Sequence, residues 1–249
     1  MQSSSWVPAV FLVAVAAACS DNPSGPEGQG TVNFQLATSG TGAASAPSLA
    51  VTVTRGTDVI VISDVQLVAR KIKLDREDGS CPADIEEDPE EEEECPSLQL
   101  GPLLLDPPVE EGVNPSFTVD VPAGVYDQLM LQIHKPTGSN DAAFIAANPA
   151  FNGVSIRVTG TWNGTPFTFT TDLTQVITIE LEDPVTVEVD GETGLTLLLD
   201  VRGWFLDQGG LALLNPSNLS QQARSRVEEN IRQSFHAFQD DDEDGEADD

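Results

Sequence analysis

The sequence predicts a mainly β protein, an antiparallel β-sandwich with one C-terminal amphipathic helix. Three observations carry this. From Thr31 to about Asp207, short apolar runs alternate with polar residues at a period of two. Turn-forming Gly, Pro, Asn and Asp separate those runs at regular spacing. Near the C-terminus alone the apolar spacing changes to three and four. With 249 residues and 39% hydrophobic side chains, the chain can bury a sizeable core.

The strands follow in order. Val32, Phe34 and Leu36 alternate, as do Val51 and Val53. Residues 58–76 form a long run rich in Val and Ile. In its later half Val68, Ile72 and Leu74 fall on one parity, and Lys71, Lys73 and Asp75 on the other, the pattern of a half-buried strand. Residues 117–121 form another strand, and Pro122-Ala123-Gly124-Val125-Tyr126 a turn in which Gly124 is free to take positive φ. Leu129, Leu131 and Ile133 alternate next, then Val154, Ile156 and Val158. Asn163-Gly164, between two such runs, is a strong hairpin signal. Further strands are predicted at 175–181, 184–189 and 195–206.

Residues 218–239 place Leu219, Ala223, Val227, Ile231, Phe235 and Phe238 on one helical stripe, with Asn218 as the cap and Gln221 three positions on. Such a stripe must cover an open face or edge of the sandwich. The predicted organisation is a signal peptide at 1–18, a tether at 19–30, a sandwich at 31–215, a helix at 216–239 and an acidic tail at 240–249.

At the N-terminus, residues 6–18 are unbroken apolar or small. Thirteen residues of helix rise only about 20 Å, too short to span a membrane and suited to the core of an export signal. Ala16, Ala17 and Ala18 lead into Cys19, which resembles the site where bacterial lipoproteins are cut and lipidated. The n-region carries no Lys or Arg, so an ordinary secretory signal followed by a chance cysteine is the alternative. Ser20 rather than Asp after Cys19 favours the outer membrane as the anchoring site. The Gly-, Pro- and Ser-rich residues 20–30 read as a tether.

Lipidation of Cys19 leaves Cys81 and Cys95 as a pair in an oxidising compartment. A disulfide between them closes a 15-residue loop around nine acids at 84–94. In the chain-entropy view such a bridge contributes ~3 kcal/mol; two free thiols are the other possibility.

The formal charge is −30, from 41 acids against 11 bases. Phosphate recognition needs a basic surface, so nucleic acid is excluded as a partner. Adsorption to anionic headgroups is disfavoured too, which makes a membrane attachment covalent. Residues 84–94 and 240–249 carry 17 of the acids, leaving the remainder with 24 acids against 11 bases.

Four segments, 64–74, 121–136, 153–169 and 229–245, resemble an uncharacterised family of bacterial envelope lipoproteins. These carry a β-sandwich of the transthyretin-like or carboxypeptidase-regulatory-like kind. The resemblance implies a fold and a location in the cell envelope. It supplies no functional residues.

Chemistry is sparse. His134 and His236 are the two histidines, and both read as surface residues, His236 on the helix beside its apolar stripe. No nucleophile elbow, zinc-protease motif or phosphate loop is present. The chain therefore reads as a non-enzymatic binding or structural module with no obligatory cofactor. Two alternatives stand beside this reading. Trp162, Phe167 and Phe169 could stack on a sugar, in a carbohydrate-binding or carbohydrate-active protein. Asp240, Asp242 and Asp244, followed by Gly245, open like an EF-hand calcium loop, with Glu246 and Asp248 at its seventh and ninth positions. The tail follows the predicted helix, as such a loop does. The twelfth position, normally a bidentate Glu, falls beyond Asp249. A solvated acidic tail is the plain alternative.

Overall fold

The structure is a computed structural model, and it describes residues 28–38, 50–76, 97–109 and 113–248. Among these described residues eleven strands are formed: β1 (Gln29–Thr38), β2 (Val51–Arg55), β3 (Asp58–Arg76), β4 (Ser97–Leu105), β5 (Val113–Pro122), β6 (Gly124–Ile133), β7 (Ile156–Trp162), β8 (Thr165–Thr171), β9 (Gln175–Val187), β10 (Glu192–Leu199) and β11 (Phe235–Gln239). Two α-helices join them, α1 (Ala142–Ala147) and α2 (Gln221–Arg232).

The protein is mainly β, but its sheet is mixed. The strands run in the order β5-β1-β10-β11-β9-β6-β3-β7-β8, with β2 and β4 on β3. Two neighbours are parallel: β1 with β10 over Thr31–Thr38, and β11 with β9 at Ala237 and Leu181. An antiparallel sandwich is thus not what forms. A period of two reports which face of a strand is buried and is silent on the direction of its neighbour. The sheet curls around one core that takes Phe34 from β1, Leu67 from β3, Leu129 from β6, Ile179 from β9 and Leu197 from β10.

The curl is centred on β3. Its first half pairs with β2 and β7, its second with β4 and β6. Register shifts after Ile62, Ala69, Ile72 and Asp75 bend it, as bulges do. Both parities of its later half are buried. Lys71, Lys73 and Asp75, predicted to face solvent, are at most 8% exposed. Lys71 and Lys73 line one small cavity with Met130 and Val176, and a long aliphatic stem allows a lysine to be buried so.

The β7–β8 hairpin forms as its turn demands. Asn163 and Gly164 both take positive φ, +48° and +79°, and the Asn163 side chain accepts from Val59 N and donates to Asp58. Phe167 and Phe169 point inward, edge-on to Phe205, so they belong to the core rather than to an exposed stacking platform. Between β5 and β6, Gly124 keeps an ordinary φ; the corner is fixed instead by buried Tyr126, whose hydroxyl donates to the Pro122 carbonyl at 2.6 Å.

The C-terminal helix is shorter than predicted. Ser220 caps it by accepting from Ala223 N, in place of Asn218, and it ends at Arg232. Val227 and Ile231 are its buried residues. Ser234 then takes the Trp204 indole N–H at 2.8 Å, and the chain enters β11 between β10 and β9. Phe235 and Ala237 point inward with His236 outward. Phe235 and Phe238, three apart, match a helical stripe as readily as a strand, which is why the predicted helix overran.

Candidate metal centre

The C-terminal acidic segment is built onto the end of β10. The Asp240 amide donates to the Gly194 carbonyl at 3.2 Å, and the Gly194 amide donates to the Asp241 carboxylate at 2.6 Å. A Cβ on residue 194 would lie 1.9 Å from the Asp240 carbonyl oxygen, so only glycine permits this approach.

Asp240 is fully buried. Its Oδ2 accepts from the Thr196 hydroxyl at 2.9 Å and from Gly245 N at 3.0 Å, and its Oδ1 accepts from Asp244 N at 3.1 Å. These bonds fold residues 240–245 into a tight loop, which Glu243 and Gly245 complete with φ of +61° and +83°.

The loop brings the carboxylates of Asp240, Asp242 and Asp244 together, with one oxygen of each within 4.8 Å of the others. Like charges at this spacing repel, and a cation removes the repulsion. Calcium binds oxygens at 2.3–2.6 Å, so oxygens on opposite sides of one ion stand about 5 Å apart. The donor set, all hard carboxylate oxygen, suits that ion and not a soft metal.

Glu246 and Asp248 do not join the group. The Asp248 carboxylate accepts from Asp241 N at 2.7 Å and its amide donates to the Gln239 carbonyl, which pins the end of the loop to β11. Glu246 donates its amide to Asp244 Oδ1. The loop also departs from the EF-hand plan in its entry, because it leaves a strand rather than a helix. Sequence reasoning found the three clustered acids through their alternate spacing. It missed Thr196 and Gly194, whose roles arise from a pairing over forty residues away.

Cys19, Cys81, Cys95 and the acidic run 84–94 lie outside the described residues. Among the described residues, no helix is long and apolar enough to cross a membrane.

The histidines differ from expectation in one case. His236 is exposed, but on β11. His134 is 9% exposed and pairs with buried Asp141 at 2.9 Å. Burial pushes the Asp141 carboxyl up, but the Thr137 amide, the His134 hydrogen bond and the charges of His134 and Arg70 outweigh it and hold the group below the usual carboxylate range. Among the described residues the His134 side chain has Asp141 as its hydrogen-bond partner.

No family profile, no characterised protein and no solved structure matches the chain.

Proposed function

We propose that the protein is a non-enzymatic, lipid-anchored module of the bacterial cell envelope whose C-terminal loop binds Ca²⁺. The convergence of Asp240, Asp242 and Asp244 within 4.8 Å carries the calcium reading. Buried Asp240 joins the loop to β10 through Thr196, so an ion there stabilises the meeting of β10, β11 and the tail. With three protein carboxylates and the rest of the shell left to backbone carbonyl and water, affinity is weak, ~10⁻⁴ to 10⁻³ M, the range of extracellular calcium modules.

The short apolar segment ending at Ala16-Ala17-Ala18 before Cys19 supports the anchor, as does the resemblance to envelope lipoproteins. Its ligand or partner in the envelope is a protein or a glycan, attached through the β domain. Fractionation of cells tests the anchor. Wild type sediments with membranes after a carbonate wash and Cys19→Ala is released; a Cys19→Ala variant that stays in the membrane fraction contradicts it. Thermal melting tests the ion. Millimolar Ca²⁺ raises the midpoint and EDTA returns it; an unchanged midpoint contradicts the calcium reading.

A further inference from the structure

Beside the buried stripe of α2, Arg226, Asn230 and the residue that follows the helix, Gln233, recur at helical spacing. They face the segment 200–212 across an open cleft of about 290 Å³, which Asp200, Asp207 and His236 also line. The far wall is held firmly. The Asn230 amide donates to the carbonyls of Gly203, Trp204 and Leu206 at 2.9–3.1 Å. The Asp207 Oδ1 accepts from Leu211 N and Ala212 N, and Arg55 Nε donates to the Gly210 carbonyl.

Within this cleft Arg226 stands out. It makes no hydrogen bond or ion pair with any described residue, and its Nε is sealed from solvent without an acceptor. The other arginines are engaged: Arg55, Arg76 and Arg224 on carbonyls, Arg157, Arg202 and Arg232 on carboxylates, and Arg70 with the charge of Asp141. Glu229, one turn beyond Arg226, is taken by Arg232 and Gln233. A chain with 41 acids against 11 bases thus leaves the Arg226 guanidinium without a carboxylate partner among the described residues, although Asp200 and Asp207 line the same cleft.

We propose that this cleft binds a small hydroxylated carboxylic acid, the size of a single sugar acid, with its carboxylate on Arg226. The planar guanidinium fork matches a carboxylate in two parallel bonds. The charges near it balance: Arg226 and the Arg202 bound to Asp200 offset Asp200 and Asp207. A ligand of a single negative charge is therefore admitted on Arg226 despite the −30 of the chain. One remaining group asks for a hydroxyl donor. The Asp207 carboxylate is held by the amides of Leu211, Ala212, Gly209 and Gly210, and Gln233, which gives one of its two amide hydrogens to Glu229, offers its carbonyl oxygen to a hydroxyl donor. The volume lies just under the usual range for ligand clefts of ~300–1,000 Å³, which sets the size.

Ligand-observed NMR on the full chain tests this, with D-glucuronate as probe, D-glucose as its neutral counterpart and acetate as the bare carboxylate. Saturable binding of glucuronate is expected, with glucose and acetate each weaker by about tenfold or more. Arg226→Gln lowers glucuronate affinity by at least about tenfold, and leaves the ligand-free melting midpoint unchanged because Arg226 bonds to no described residue. Arg226→Lys keeps the charge, loses the fork and gives intermediate affinity. Absence of saturable glucuronate binding to wild type overturns the proposal. So does equal binding of glucose, or equal affinity in both Arg226 variants and wild type.

Discussion

The hydroxyl of Thr196 donates to the buried carboxylate of Asp240 at 2.9 Å, and this bond joins the middle of β10 to the first residue of the acidic loop. Gln35 of β1 stands on the other side of the same hydroxyl, its Oε1 3.5 Å away. The acidic tail is therefore rooted in the polar interior of the sheet. Asp240→Ala strands the Thr196 hydroxyl and the amides of Asp244 and Gly245. It is expected to cost about 1–3 kcal/mol in chemical denaturation, the penalty for orphaned buried polar groups.

Gly194→Ala attacks the same junction from β10. The added methyl would meet the Asp240 carbonyl, a backbone atom that cannot swing aside. The expected loss is about 1–3 kcal/mol, the usual cost of overpacking, with increased amide exchange in residues 240–245. Wild-type stability and exchange in this variant would refute the close approach.

Acid stability is expected to depend on Asp141. Its folded pKa is held below the ordinary value. A depressed carboxyl contributes stability that is present above the unfolded pKa of about 3.9 and is lost as pH falls through the folded value. Asp141→Asn therefore lowers stability at neutral pH, and the gap from wild type narrows as pH falls below the ordinary carboxylate value of about 3.9. Denaturant midpoints across that range check it. A gap independent of pH would show that the carboxylate charge is not what stabilises His134 and the Thr137 turn.

Cys81 and Cys95 are expected to be joined in the exported protein. Non-reducing peptide mapping yields the linked pair, and reduction lowers stability by up to ~3 kcal/mol. Alkylation of both thiols in unreduced, denatured protein would disprove the bridge.

The β character and most strand positions are legible in the sequence because alternation follows burial, and the Asn163-Gly164 turn because positive φ selects those residues. The order of the strands is not. Nothing local tells Val32, Phe34 and Leu36 that their neighbour is the parallel β10. The end of α2 is obscured because Phe235 and Phe238 satisfy two periods at once. Lys71 and Lys73 mislead because a long apolar stem lets a charged residue pack. At the candidate site, Asp240, Asp242 and Asp244 are readable as a local motif, whereas Arg226, His134 and Thr196 take their meaning from partners, or from the lack of them, across the fold.

Calorimetric titration of the full chain with Ca²⁺, wild type beside Asp242→Asn/Asp244→Asn, tests the calcium loop most directly. Both exposed carboxylates are removed while buried Asp240 and its bonds remain, so the fold is kept. The account predicts one site at ~10⁻⁴ to 10⁻³ M in wild type, worth about 1.4 kcal/mol of stability at tenfold excess over Kd, and loss of that site in the double variant. Equal calcium uptake by the two proteins would contradict it and leave the 240–248 segment a solvated acidic tail.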